Sequence, residues 1–113
     1  MPKSIIINKH GGPEVLELKD VEVGAPGPKE IKIKNKAIGI NFIDTYHRSG
    51  LYKLKLPSGI GMEGAGVVEE VGSEVQYFNE GDRVTYSQMP LGSYSEERII
   101  PEKIAVKIPE GVN

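Results

Sequence analysis

The side chains best suited to chemistry lie between residues 41 and 66. Asp44 and His47 are three positions apart and share a face if that segment is helical, and Glu63 could join them around a metal ion. Cysteine sulfur is absent from the whole sequence, however, and His10 and His47 are the only imidazoles. The simpler expectation is that Asp44 serves a helix start and that His47 is a solvated helix residue. Two histidines, with no Ser/His/Asp arrangement around them, also give hydrolysis little to work with. Gly61-Met62-Glu63-Gly64-Ala65-Gly66 is glycine-rich, but its order is G-x-x-G-x-G. The dinucleotide fingerprint G-x-G-x-x-G follows a strand and opens a helix whose N-terminus receives the pyrophosphate. Here a strand follows, so these glycines are expected to permit close backbone packing. The P-loop signature is absent. Tyr46 and Tyr52 flank a glycine-containing turn, where two phenols can stack on a flat ring and donate hydrogen bonds, or where one ring is core. Asn41 reads as a helix N-cap, worth about 1 kcal/mol.

The elements that must position these residues are mostly short strands. Residues 3–8 form a first strand, His10-Gly11-Gly12-Pro13 a turn, and residues 15–18 a second extended segment running on toward Val21 and Val23, so that the pair makes a hairpin. Gly24-Ala25-Pro26-Gly27-Pro28 breaks any helix or central strand. In Glu30-Ile31-Lys32-Ile33-Lys34 the isoleucines and lysines alternate with period 2, and that register is expected to continue to Ile40. Asn41, Asp44, Arg48 and Gly50 then mark the cap, first turn, last turn and stop of one short helix. Strands are expected over 64–72, 83–86, 93–100 and 104–108, with a turn at Glu80-Gly81-Asp82 and a corner at Pro101. This pattern predicts a small, mostly antiparallel barrel or sandwich with closed or covered edges. It contains no βαβ alternation, so no doubly wound parallel sheet is expected.

Composition sets the outer bounds. A chain of 113 residues is one domain, large enough for a single core. With 38% hydrophobic and 27% charged residues it matches ordinary globular usage, which excludes global disorder and fibrous repeats. The net charge of −2 supplies no cationic field for a nucleic-acid partner. No apolar run approaches the roughly 18 residues that cross a bilayer, so no membrane association is expected and a cytoplasmic location is.

Two segments carry more than periodicity. Ala37-Ile38-Gly39-Ile40-Asn41-Phe42-Ile43-Asp44 with Arg48-Ser49-Gly50-Leu51-Tyr52 is one; Gly61-Met62-Glu63-Gly64-Ala65-Gly66-Val67-Val68 leading to Gly81-Asp82-Arg83-Val84 is the other. Together with Lys9-His10-Gly11-Gly12-Pro13-Glu14-Val15-Leu16 they resemble the medium-chain dehydrogenase/reductase superfamily, and within it the zinc-free quinone oxidoreductases, or zeta-crystallin-like proteins. The similarity runs over essentially the whole chain. It implies that residues 1–113 form a mainly β, GroES-like, partly open barrel with one or two short helices, the substrate-side catalytic domain of an NADPH-dependent quinone oxidoreductase.

The zinc alcohol dehydrogenases of that superfamily have a cysteine ligand where this sequence has Asn41 and a histidine where it has Met62. An amide and a thioether are poor zinc donors, so the resemblance implies chemistry without zinc and no metal-binding residue. It places Asn41, Tyr46 and Met62 near the nicotinamide end of NADPH and Tyr52 in the pocket for a quinone or related planar acceptor. Glu63 matches the superfamily's acidic position, and no side chain is assigned a catalytic role. The family's Rossmann domain is absent from this sequence, so the chain alone is expected to show no appreciable reductase activity. A homodimer is a family tendency carried mainly by that other domain. Two other functions fit the same residues: a stand-alone GroES-like binding or assembly module without redox activity, and a reductase of conjugated enones.

Overall fold

The computed structural model describes residues 1–112. Strand β1 (Lys3–Ile7) pairs antiparallel with β2 (Glu17–Asp20), with Ile5 opposite Leu18, and with β4 (Ser58–Gly59), giving a three-stranded sheet in the order β2-β1-β4. Strands β3 (Glu30–Gly39), β5 (Glu63–Val71), β6 (Arg83–Tyr86), β7 (Glu97–Pro101) and β8 (Val106–Lys107) form an antiparallel sheet in the order β7-β3-β5-β6-β8. One helix, α1 (Phe42–Ser49), joins β3 to the β4 region, and short 3-10 turns occupy Pro13–Val15 and Glu102–Ile104. The two sheets do not close into a full barrel, in keeping with a partly open GroES-like architecture.

The alternation read in β3 sets the main core. Ile31 and Ile33 are fully buried and pack with Val68, Phe78, Val84, Tyr86, Ile100 and Ile104. Burying each such side chain stabilises the fold by roughly 1.5–3 kcal/mol. A smaller cluster of Ile7, Val15 and Ile60 underlies the first sheet. The glycines of β5 serve close packing as expected: a Cβ on Gly66 would strike the carbonyl oxygen of Lys34 on the neighbouring strand, and one on Gly64 would lie 2.5 Å from the Tyr86 hydroxyl.

Several expectations are corrected. The β3 register does not run unbroken to Ile40: its pairing with β5 shifts between Lys32 and Ile33 and again between Asn35 and Ala37, and the strand ends at Gly39. Val15 lies in a 3-10 turn, because Pro13 at its start sets a helical φ, so the second strand begins only at Glu17. The segment 93–100 is a strand only from Glu97. Before that the chain leaves β3 for β1, with Ile5 N–H donating to the Tyr94 carbonyl at 2.8 Å. Ile104 likewise lies in a 3-10 turn, leaving only Val106–Lys107 as the last strand.

Candidate functional site

Helix α1 organises the site. Asn41 caps it from an extended conformation (φ −129°, ψ 152°), and its backbone N–H donates to Asp44 Oδ2 at 3.0 Å. With the helix start satisfied in this way, the Asn41 carboxamide turns across to β5, where Nδ2 donates to Glu63 Oε1 at 3.0 Å. Gly39 lies opposite Glu63 in the β3–β5 register, and a Cβ there would push the Glu63 side chain from its present place. Met62, half-buried, immediately precedes Glu63. The Asn41 and Met62 segments are thus brought together at one end of α1.

The other end holds the phenols. Gly50 stops the helix with φ 90°, and both its N–H and that of Tyr52 donate to the Tyr46 carbonyl at 3.2 Å. This folds the chain back so that the Tyr46 and Tyr52 rings meet edge to face, centroids 5.7 Å apart at 80°. Neither ring is core: 38% of Tyr46 and 52% of Tyr52 is exposed. Tyr46 stands five residues along from Asn41, about 7.5 Å along the helix axis.

His47 departs from the sequence expectation. It is not solvated but 6% exposed, with its ring centroid 6.1 Å from that of Tyr52 and its Nδ1 buried without a hydrogen-bond partner among the described residues. The inward face of the last helical turn takes it beneath the Tyr52 turn. Asp44 does serve the helix start, as expected, but sequence reasoning missed its second partner: Tyr94 Oη donates to Asp44 Oδ2 at 2.6 Å. Burial, and then the adjacent carboxylate, push the Tyr94 phenol well above its ordinary pKa. No local spacing could reveal a contact 50 residues long. Arg48 was read only as a last-turn cation; its Nε donates to the Gly11 carbonyl at 3.2 Å, and Gly11 N–H donates back to the Arg48 carbonyl at 2.9 Å.

The donors near Asn41 do not suit zinc. They are an amide whose nitrogen is turned to a carboxylate, a thioether and Glu63, and among the described residues no three His, Asp or Glu side chains converge. A separate groove of about 560 Å³ runs between β1, β2 and the far half of β3, floored by Ile5, Leu18, Ile38 and Ile40. It includes none of Asn41, Tyr46, Tyr52 or Met62, and its polar lining takes in Lys3, Lys36, Tyr94 and Glu96. No helix among the described residues is long and apolar enough to cross a membrane.

Comparison with known proteins identifies the fold. Residues 27–110 match the alcohol dehydrogenase GroES-like domain. A quinone oxidoreductase of Pseudomonas aeruginosa is 54% identical over 114 residues, covering 100% of this chain and 35% of that protein. A 2-haloacrylate reductase of a Burkholderia species is 43% identical over 117 residues, with 100% and 35% covered. Among solved structures, the Escherichia coli quinone oxidoreductase complexed with NADPH superposes with a TM-score of 0.96 at 49% identity, covering 98% of this chain and 34% of that one. The chain therefore spans about a third of the length of these relatives. On these matches the chain belongs to the alcohol dehydrogenase GroES-like domain family, within the medium-chain dehydrogenase/reductase superfamily.

Proposed function

We propose that residues 1–113 build the acceptor side of an NADPH-dependent quinone oxidoreductase that works without zinc, and that this chain alone turns over no quinone. The observation that carries this reading is the Asn41–Glu63 hydrogen bond at 3.0 Å. By the sequence resemblance Asn41 stands where the zinc-dependent members of the superfamily have a cysteine ligand, and here its amide is engaged with a carboxylate. Because Nδ2 is engaged with Glu63, Oδ1, which also faces the Asp44 N–H of the capping box, is the Asn41 atom that would accept from the carboxamide of a nicotinamide ring. The residues present thus fit the nicotinamide end of the cofactor, with half-buried Met62 as an apolar neighbour.

Tyr46 and Tyr52 supply the acceptor wall. The hydroxyls of Tyr86 and Tyr94 are engaged with Asn35 and Asp44, whereas the Tyr46 and Tyr52 rings are partly open to solvent. A flat acceptor lying along this edge-to-face pair would be oriented by ring contact, and its carbonyl oxygens would receive phenolic O–H donors. Bound NADPH supplies the reducing equivalents; the side chains of this chain hold and orient. The glycines of 61–66 pack on protein, so the pyrophosphate and adenosine are assigned to a Rossmann domain, for which the greater length of the relatives leaves room. The Escherichia coli neighbour complexed with NADPH supports the choice of cofactor.

A second acceptor class has its own support: the Burkholderia relative, at 43% identity, is named as a reductase of 2-haloacrylate, a planar activated alkene. The test joins residues 1–113 to the remaining two-thirds of the Pseudomonas aeruginosa relative and follows NADPH oxidation with 1,4-benzoquinone and with 2-chloroacrylate. We expect quinone turnover that survives exhaustive chelation, and none from residues 1–113 alone. Turnover that needs added zinc, or that the short chain performs unaided, contradicts the reading. A kcat/KM higher for 2-chloroacrylate than for the quinone selects the second acceptor class.

A further inference from the structure

The sequence has two histidines, and both lie against the turn that carries Tyr52. His10 Nε2 accepts the Leu54 N–H at 3.4 Å. The same ring lies over Gly50, where an added Cβ would come within 2.9 Å of His10 Cγ. His10 is itself anchored, since the next residue, Gly11, exchanges two hydrogen bonds with Arg48 in the last turn of α1. His47 supports the turn from the helix side, 6.1 Å from the Tyr52 ring and tilted 59° to it. Its Nδ1 is buried without a partner among the described residues, so an apolar side chain would suit the position better if packing were all that mattered.

At its far end the turn is also held by Leu54, which packs against Ile7, Val15 and Ile60, and at its start by Leu51 N–H, which donates to Ser49 Oγ at 3.4 Å. Between them Leu51 and Tyr52 are more than half exposed, and the Tyr52 N–H donates to the Tyr46 carbonyl. The Tyr52 ring therefore takes its attitude from Tyr46 on one side and His47 on the other, while His10 holds the backbone two residues further on.

We infer that His10 and His47 are positioning residues, which clamp the turn 51–54 so that Tyr52 stays edge-on to Tyr46 and the wall offered to a planar acceptor keeps its shape. The inference rests on the reading of Tyr46 and Tyr52 as the acceptor wall. It goes beyond that reading in assigning a role to two side chains that touch neither cofactor nor acceptor.

The test uses the chain joined to the remainder of the Pseudomonas aeruginosa relative, with steady-state kinetics for 1,4-benzoquinone and NADPH. His10→Phe and His47→Leu are each expected to raise the quinone KM by about threefold or more, leaving the NADPH KM and the kcat at saturating quinone within about twofold. His10→Gln, which restores an acceptor, and His47→Phe, which restores a ring, are expected to recover most of the loss. A parallel readout is amide exchange, in which Leu54 should lose protection in His10→Phe and keep it in His10→Gln. An unchanged quinone KM in active variants overturns the inference and leaves the quinone reading standing. Equal losses in both KM values and kcat show a merely structural role and also overturn it. If the unmutated joined enzyme reduces neither quinone nor 2-chloroacrylate, the acceptor reading fails and this inference falls with it.

Discussion

Asn41 Nδ2 donates to Glu63 Oε1 at 3.0 Å, joining the cap of the only α-helix among the described residues to the first residue of β5. The Asn41 backbone N–H is at the same time satisfied by Asp44 Oδ2. One residue therefore closes the helix through its backbone and faces the site through its side chain, and these two roles can be separated by substitution.

Asn41→Ala removes the carboxamide but leaves the Asp44 contact to the backbone. The isolated chain should lose about 0.5–1 kcal/mol of stability, because Glu63 is exposed and water replaces its donor. In the joined enzyme the NADPH KM should rise several-fold while the quinone KM changes little. Urea unfolding and steady-state kinetics check the two halves separately, and an unchanged NADPH KM would remove Asn41 from the cofactor site.

Tyr94→Phe should destabilise the chain by about 1–3 kcal/mol. Asp44 would lose one of its two donors, and its other oxygen, Oδ1, is already buried without a partner. The pH dependence has a definite sign. The folded phenol has a raised pKa, so the folded state holds this proton more tightly than the unfolded chain does. The resulting stability is fully present below the unfolded phenol value of about 10 and is lost as pH climbs from there through the raised folded value. Urea midpoints measured from pH 7 to 11 should fall at the alkaline end in the parent chain, and fall less in Tyr94→Phe.

Gly66→Ala and Gly81→Ala separate close packing from backbone strain. The Cβ at position 66 meets the Lys34 carbonyl oxygen, so β3 and β5 must spread, at about 1–3 kcal/mol or more. Gly81 has φ 91° but nothing within 4 Å of its Cβ position, so the cost there is the left-handed conformation alone, about 1–2 kcal/mol. Thermal unfolding of both variants, with β3–β5 amide exchange, should show strand loosening only at position 66.

What could be read along the chain was local. The capping residues Asn41 and Asp44 and the stop at Gly50 gave the helix, because each acts within one turn of its own position. The alternating Ile31 and Ile33 gave the inner face of the central strand. The shift at Asn35 was not visible, because it arises in the pairing with β5 and leaves no mark in the order of residues along β3. The burial of His47 leaves no mark in the residues around it, because its cover comes from a turn whose path depends on Gly50 and His10. Tyr94 was missed for a related reason: its partner Asp44 belongs to another element and leaves no mark in the sequence around position 94.

The account stands most directly on where the reducing ring docks. An NADPH titration of the isotopically labelled 113-residue chain, followed by backbone amide shifts, reads that position residue by residue. The prediction is weak, saturable shifts gathered at Asn41, Tyr46 and Met62, with little change in the groove between β1 and β3. Shifts concentrated in that groove, or no shifts at millimolar cofactor with the fold intact, would contradict it.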